Sequence, residues 1–476
     1  MRGQRPWGRV RVTHTPTSGS TVSGPAWLPG PRRAAWAESV DRLRDAATTE
    51  PGRLRIIGAV LALLVLVFGA VTAWQISARS TAARDVATRS EPLSADAAEI
   101  YRSLADANTT AAGGFLVSGQ EPAAVLRRYQ NDVHTAAQLI ANAAANSQGS
   151  ADTQNQVTLL NEQLPVYTGL VETARANNRQ GLPLGGAYLR YANDQMNGTL
   201  LPTAKKLYQV ETGRLHDDYA AAESLPWAAW GLGVIALAGL VWAQRRTYLR
   251  TNRVFNPGML AGTAAAGLAL VWLVVGHTWA RVDLGDSWDH GGKSLQVLNQ
   301  ARIGSLQARG NENLTLVARG AGAAYEDAYE KGMTTLDGPR GQKGAGGLLS
   351  EALSLADDSG GRTPVQQAVD GVAEWRSRHA VANGDDTNGD YDSALAYVIG
   401  GKDSSGKEIT QTTGQSFDAV DKGLQQAVDH ETGEFQQTAG DARDALTGLP
   451  EGAAVLAVLA AAGAVLGIGR RLSEYR

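Results

Sequence analysis

A chain of 476 residues with 43% apolar and 19% charged side chains, a formal charge of -3 and a mildly negative mean hydropathy reads on average like a large soluble protein. The average hides four charge-free apolar runs, at 56–74, 226–243, 259–276 and 452–469, which leave the rest of the chain markedly polar. That distribution excludes a soluble enzyme and a compact transporter, and the absence of cysteine excludes disulfides, thiolate metal ligands and thiol nucleophiles.

Residues 1–55 form a basic tail with ten arginines against four acids. Its Pro, Gly, Ser and Thr content between His14 and Pro31 is that of a disordered segment. Trp36, Val40 and Leu43 share one helical face beside Arg42 and Arg44, the pattern of an interfacial helix on anionic lipid or of a docking helix for a partner. Hydroxyls over 13–23 are candidate phosphate acceptors that would reverse the local charge. The run 56–74 lies too far from the start, and is too long, for a cleavable signal, and is expected to be an uncleaved signal anchor. Each of the four runs is long enough to cross a bilayer core of ~30 Å at about 1.5 Å per helical residue.

Turn residues at 118–122, 146–150 and 178–183 cut the segment 75–225 into four helical pieces, the first continuing out of span one and the last running into span two. Helical spacing nominates Ile100, Leu104, Tyr129, Leu160, Leu189 and Leu207 for its core, together with Leu159, Val166 and Tyr191. After the span 226–243 comes a short basic loop, 244–258, carrying Arg245, Arg246, Arg250 and Arg253 and no acid. After the span 259–276, the segment 277–451 follows the same plan: a first helix over 281–333, a glycine-rich break at 338–347, a turn at 383–389 and a last helix over 417–446 that feeds the span 452–469. Exposed, mobile loops are expected at 357–361 and 400–406. The chain ends on the basic segment 470–476.

The tail, the short loop and the end together hold 17 basic and 5 acidic residues, whereas the two large segments hold 27 and 42. Basic residues collect on the cytoplasmic flanks of spans, so both termini are expected inside the cell membrane and both large segments outside. The expected fold is an all-α membrane protein with four transmembrane helices and two tandem extracytoplasmic antiparallel helical bundles, a duplication of layout.

Chemistry-bearing motifs mostly fail on inspection. The Gly291–Gly292–Lys293–Ser294 run lacks the first glycine of a phosphate-binding loop. An acidic turn over 385–390 puts Gly384 and Leu395 where calcium ligands are needed. His430 and Glu431 lack the second histidine of a zinc-protease helix. No catalytic residue, metal site or cofactor is assigned, and nothing points to nucleic acid. The spans hold no ionisable residue, which argues against an ion pathway. They do hold Gly258 with Gly262, and Gly463 with Gly467, at the spacing that lets membrane helices approach closely.

Two clusters are weighed as recognition sites. Arg175, Asn177, Asn178 and Arg179 end one helix, and Tyr188, Arg190 and Asp194 open the next. Arg and Asn there suit a carboxylate or an acidic partner surface through charge-assisted hydrogen bonds, and equally suit the capping of a helix C-terminus. Arg309, Glu312, Arg319, Tyr325 and Glu326, with Trp375, Arg376 and His379 elsewhere, read as a solvated face, because an i,i+3 Arg–Glu pair usually lies on a helix surface.

The stretches 107–116, 118–122, 167–181 and 301–320, set in the four-span layout, resemble the actinobacterial four-span membrane protein associated with a glutamine-binding lipoprotein and the soluble protein kinase G. The resemblance implies a sensor on which an amino-acid-loaded solute-binding lipoprotein docks outside, with the signal reaching a cytoplasmic kinase or adaptor. The amino acids it implies are aspartate, glutamate and related ones. The bundles are also similar to the four-helix sensor domains of chemoreceptors, which carry their own output module; here the short cytoplasmic segments require a partner. The expected function is therefore a non-enzymatic sensor of external nutrient status embedded in the lipid bilayer. An envelope scaffold and an accessory subunit of an amino-acid importer are the alternatives.

Overall fold

The computed structural model describes residues 50–117, 121–146, 150–251, 256–341 and 346–473. The tail helix, the tail hydroxyls and Arg253 lie outside the described residues. The fold is all-α with four membrane-spanning helices. Helix α1 (Glu50–Asp85) crosses as the first span and passes through a π-helical turn, Val86–Ser90, straight into α2 (Glu91–Leu116). Helices α3 (Ala123–Asn146) and α4 (Ala151–Arg179) follow, then α5 (Leu184–Gln195), a second π turn and α6 (Leu201–Glu223), which returns to the second span, α7 (Trp227–Thr251).

The second half repeats the path. The third span, α8 (Pro257–Asp286), again runs through a π turn, Ser287–Gly292, into α9 (Lys293–Val317). Then come α10 (Ala323–Asp337), α11 (Gly347–Leu355), α12 (Ser359–Thr387), α13 (Tyr391–Ile399), a two-residue hairpin, α14 (Thr413–Leu446) and the fourth span, α15 (Leu449–Ser473). In its register Gly401 faces Ile409 and Lys402 faces Glu408.

The sequence explains most boundaries. Ser150, Asp358 and Thr412 cap α4, α12 and α14 by accepting from the backbone N–H three residues on, and Gln415 completes a capping box with Thr412. Several expectations are corrected. The helix expected over 281–333 breaks after Val317, where Arg319 and Gly320 take left-handed φ of 42° and 81°. The helices expected to run unbroken into spans two and four instead stop at Ser224–Pro226 and Thr447–Gly448, where Pro226 lacks an N–H and Gly448 adopts φ 79°. The basic loop 244–258 is mostly helix, with Arg245, Arg246 and Arg250 on the last turns of α7. The segments 357–361 and 400–406 are mostly exposed, as expected, though the first is the capped start of α12 and the second belongs to the hairpin. Leu159, Val166 and Tyr191 are exposed, whereas the other six core candidates are buried.

The four spans form a ring in which α1 and α8 each touch α7 and α15. The two glycine pairs meet each other: a Cβ on Gly463 would lie 2.7 Å from the Gly258 carbonyl oxygen, and one on Gly258 2.7 Å from the Gly467 Cα. Backbone therefore rests on backbone along the α8–α15 seam. Trp74, Trp227 and Trp279 stand exposed at the bundle-side ends of three spans, where indoles suit a membrane interface. Just beyond it a collar of Ile76, Tyr219, Phe435 and Trp288 joins all four descending and ascending helices, and Arg79 donates to the Ser224 carbonyl at 2.5 Å. Farther out the two bundles share one apolar core that runs from Leu104 and Tyr167 to Leu306 and Trp375.

Candidate functional site: a polar cleft between the bundles

The bundles meet where α2 lies along α9. Small residues permit the approach: Gly310 sits under Thr109, whose Oγ1 lies 2.7 Å from the Leu306 carbonyl and 2.9 Å from the Ala105 carbonyl of its own helix, donating to one at a time. Asn313 Nδ2 donates to the Thr109 carbonyl at 3.3 Å. A carbonyl only accepts, so this bond fixes the amide's orientation and leaves Oδ1, in a side chain 2% exposed, without a partner.

Above this crossing opens a cavity of about 640 Å³ bounded by both bundles. The first bundle contributes Asp106 and Arg128, and the second Arg309, Asn313, Asp418 and the N-terminus of α14. Arg128 Nε lies 3.1 Å from both Asp106 oxygens, and the same guanidinium reaches Asp421 of the second bundle at 3.7 Å. Arg302 holds Asp421 from the other side at 2.9 Å. Arg102 closes on Asp106 at 3.2 Å and Asp132 at 3.5 Å. Burial, then Asp106, pushes the Asp132 carboxyl up, and burial likewise raises Asp418. Asp106 and Arg128 in the cleft wall thus belong to a chain of ion pairs that crosses from one bundle to the other.

Behind the cleft lies a second charged set. Glu312, 1% exposed, accepts from Arg309, from Trp375 Nε1 at 3.1 Å and from His379 at 2.9 Å. The other nitrogen of His379 lies 3.0 Å from Glu326, and Tyr329 stacks on the imidazole with centroids 3.7 Å apart. Burial works to raise Glu312, but Arg309, His379 and Trp375 hold it down to about 2. Burial works to lower His379, but Glu312 and Glu326 hold it up to about 9. Arg309 links this set to the cleft by donating to Thr413 Oγ1 at 2.8 Å. Of the residues read from sequence as a solvated face, Arg309, Glu312, Trp375 and His379 are interior, because α12 and α14 cover the Arg309–Glu312 side of α9, while Tyr325 and Glu326 are half-buried and Arg319 is exposed. Arg376 and Arg319 are not part of it: Arg376 donates to the Met333 and Gly338 carbonyls, and Arg319 stacks over Tyr391.

The other sequence-selected set is divided by the structure. Arg175 points inward, 4% exposed, paired with Glu121 at 3.0 Å and Glu172 at 2.9 Å and lying 4.0 Å above the Tyr129 ring. Asn177 donates to the Thr173 carbonyl, and the Asn178 carbonyl accepts from Gly181, so both serve the end of α4. Arg179 is exposed. Tyr188 packs half-buried on the core, while Arg190 and Asp194 are exposed near Tyr325 of α10, whose hydroxyl is raised by burial and by Asp194 and lowered by Arg190. Arg246 stacks on Trp242 at 5.4 Å. The cleft itself was missed in the sequence; Asn108, Thr109 and Thr110 in the middle of a buried helix were its one local signal.

Residues 82–220, which span the first bundle, match the family model of an actinobacterial sensor domain. This supports a sensing role. No curated protein and no solved structure matches the chain.

Proposed function

We propose that the chain is a non-enzymatic transmembrane sensor whose bundles lie outside the cell membrane, whose termini lie inside, and whose interbundle cleft is the element that responds. The observation that carries this reading is continuity: Gly52–Leu116 is one helical rod of 65 residues, so Asp106 and Thr109 in the cleft stand on the same helix as the first span. Arg309 and Asn313 stand likewise on the rod that leaves the third span through Ser287–Gly292. A displacement of α2 against α9 is transmitted to α1 and α8, and an occupant shifts that equilibrium by its differential affinity for the two arrangements.

The charge balance favours a cytoplasmic position for the arginine-rich segments, and in this scheme Arg245 and Arg246 at the end of α7 face a signalling partner such as a Ser/Thr kinase. The cleft's mixed charge suits a small zwitterion or a polar loop of a partner protein, and the resemblance in 107–116 and 301–320 favours a solute-binding lipoprotein carrying an amino acid. The test is capture: the full-length chain in nanodiscs is incubated with the cell's solute-binding lipoproteins, with and without an amino-acid mixture. Amino-acid-dependent capture that is lost on Asn313→Leu is the expected result. Capture indifferent to amino acids supports the scaffold reading instead, and no capture with the bundles folded removes the lipoprotein from the scheme.

A further inference from the structure

We propose that Asp358, His430 and Glu434 form a binding site for a divalent metal ion of the zinc class. His430 and Glu434 are four residues apart on α14 and so share a face, and Asp358 comes from the start of α12. His430 Nε2 lies 3.1 Å from Asp358 Oδ1 and 3.5 Å from Glu434 Oε1, and one donor atom from each residue falls within 4.8 Å of the others. One imidazole and two carboxylates on a partly open face is a donor set zinc accepts, with a fourth position left for water. The site is held in place from below. Asp358 accepts from the Gly361 N–H at 2.8 Å, and the imidazole lies on Gly360, where a Cβ would come within 2.3 Å of its Cε1.

A second, independent observation is a missing positive charge. Each bundle buries a glutamate on its last helix, Glu211 in α6 and Glu431 in α14, each followed by a threonine. Glu211 is satisfied by Thr153 Oγ1 at 2.6 Å and Arg214 at 3.3 Å. In the second bundle the residue three after the glutamate is Glu434 rather than an arginine, and the residue three after the helix cap is Gly361 rather than a threonine. A divalent ion on Glu434 and Asp358 supplies the cation that Arg214 supplies in the first bundle, and ties α12 to α14.

The experiment uses the untagged full-length chain in nanodiscs, stripped with chelator and titrated with Co2+, whose d–d absorption reports tetrahedral nitrogen and oxygen ligation, followed by Zn2+ competition. One saturable site is expected, weakened at least tenfold in both His430→Ala and Glu434→Arg. Glu434→Arg copies the first bundle and is expected to keep helicity and the unfolding temperature of the metal-free protein, so its loss of binding is not a loss of fold. Absence of saturable binding, or a site that survives both substitutions, overturns the proposal.

Discussion

The two bundles answer one packing problem with different charges. Tyr129 in α3 and Tyr329 in α10 stand at the same point of helices that begin at Ala123 and Ala323, and each ring carries a cation from the long helix opposite. In the first bundle the cation is Arg175, held by Glu121; in the second it is His379, held by Glu326 and Glu312. Arginine keeps its charge at any physiological pH, whereas histidine does not. The two bundles therefore share the geometry, and only the second makes it titratable.

The strongest way to break this comparison is Glu312→Ala. It leaves Arg309, His379 and Trp375 without their shared acceptor in a buried site, a change that costs about 3–5 kcal/mol. The counterpart Glu121→Ala removes a carboxylate that is 18% exposed, and water reaches the guanidinium it leaves, so about 1–2 kcal/mol is expected. Denaturant midpoints of the two variants, followed by helicity, check the ranking; equal losses would refute the claim that the second bundle concentrates its stability in one buried carboxylate.

Carried into the membrane, the comparison is between α15 and α7. Gly463→Ala forces a methyl into the backbone of α8 and is expected to cost ~1–3 kcal/mol. Gly239→Ala in α7 meets only side-chain methyls, of Leu61 at 3.2 Å and Leu64 at 3.6 Å, which can shift aside, so little change is expected. Unfolding temperatures in one detergent distinguish them.

The smallest effect sharpens the comparison by pH. His379 is held at about 9 against its ordinary 6.5, so its contribution is complete below pH 6.5 and disappears as pH rises through 9. Glu312 is held at about 2 against 4.5, so its contribution is complete above pH 4.5 and disappears as pH falls through 2. The contribution of the Glu312–His379 pair should be flat between pH 4.5 and 6.5 and decline toward pH 9, and His379→Gln should remove the alkaline part of that decline. A decline unchanged in that variant would place the titrating group elsewhere.

Local signals carried the fold a long way. Gly, Pro and Asn at 118–122, 146–150 and 178–183 stop helices that have no further apolar face to bury, and α2 to α5 begin and end there. The small-residue pairs were visible at 258 and 262 and at 463 and 467, though that they face each other depends on ring order, which no local pattern encodes. Gly320 and Gly322 were passed over because apolar residues keep helical spacing on either side, Leu314 and Val317 before them and Tyr325, Tyr329 and Met333 after. The site was less legible for a physical reason: Arg309 and Glu312 look like a surface pair until Trp375, His379 and Thr413, 60 or more residues away, close over them. Arg175 was misleading in the opposite way, its recognition chemistry being spent on Glu121 inside the bundle.

The indoles of Trp74, Trp227 and Trp279 restrict how a span can move. Indoles rest at the headgroup level because each has an apolar body and a polar tip, so a piston stroke along the membrane normal drags them into hydrocarbon or water. Rotation of the bundle about that normal keeps all three at constant depth. The bilayer thus acts as a mechanical filter on this molecule, resisting vertical travel and leaving twist as the soft coordinate.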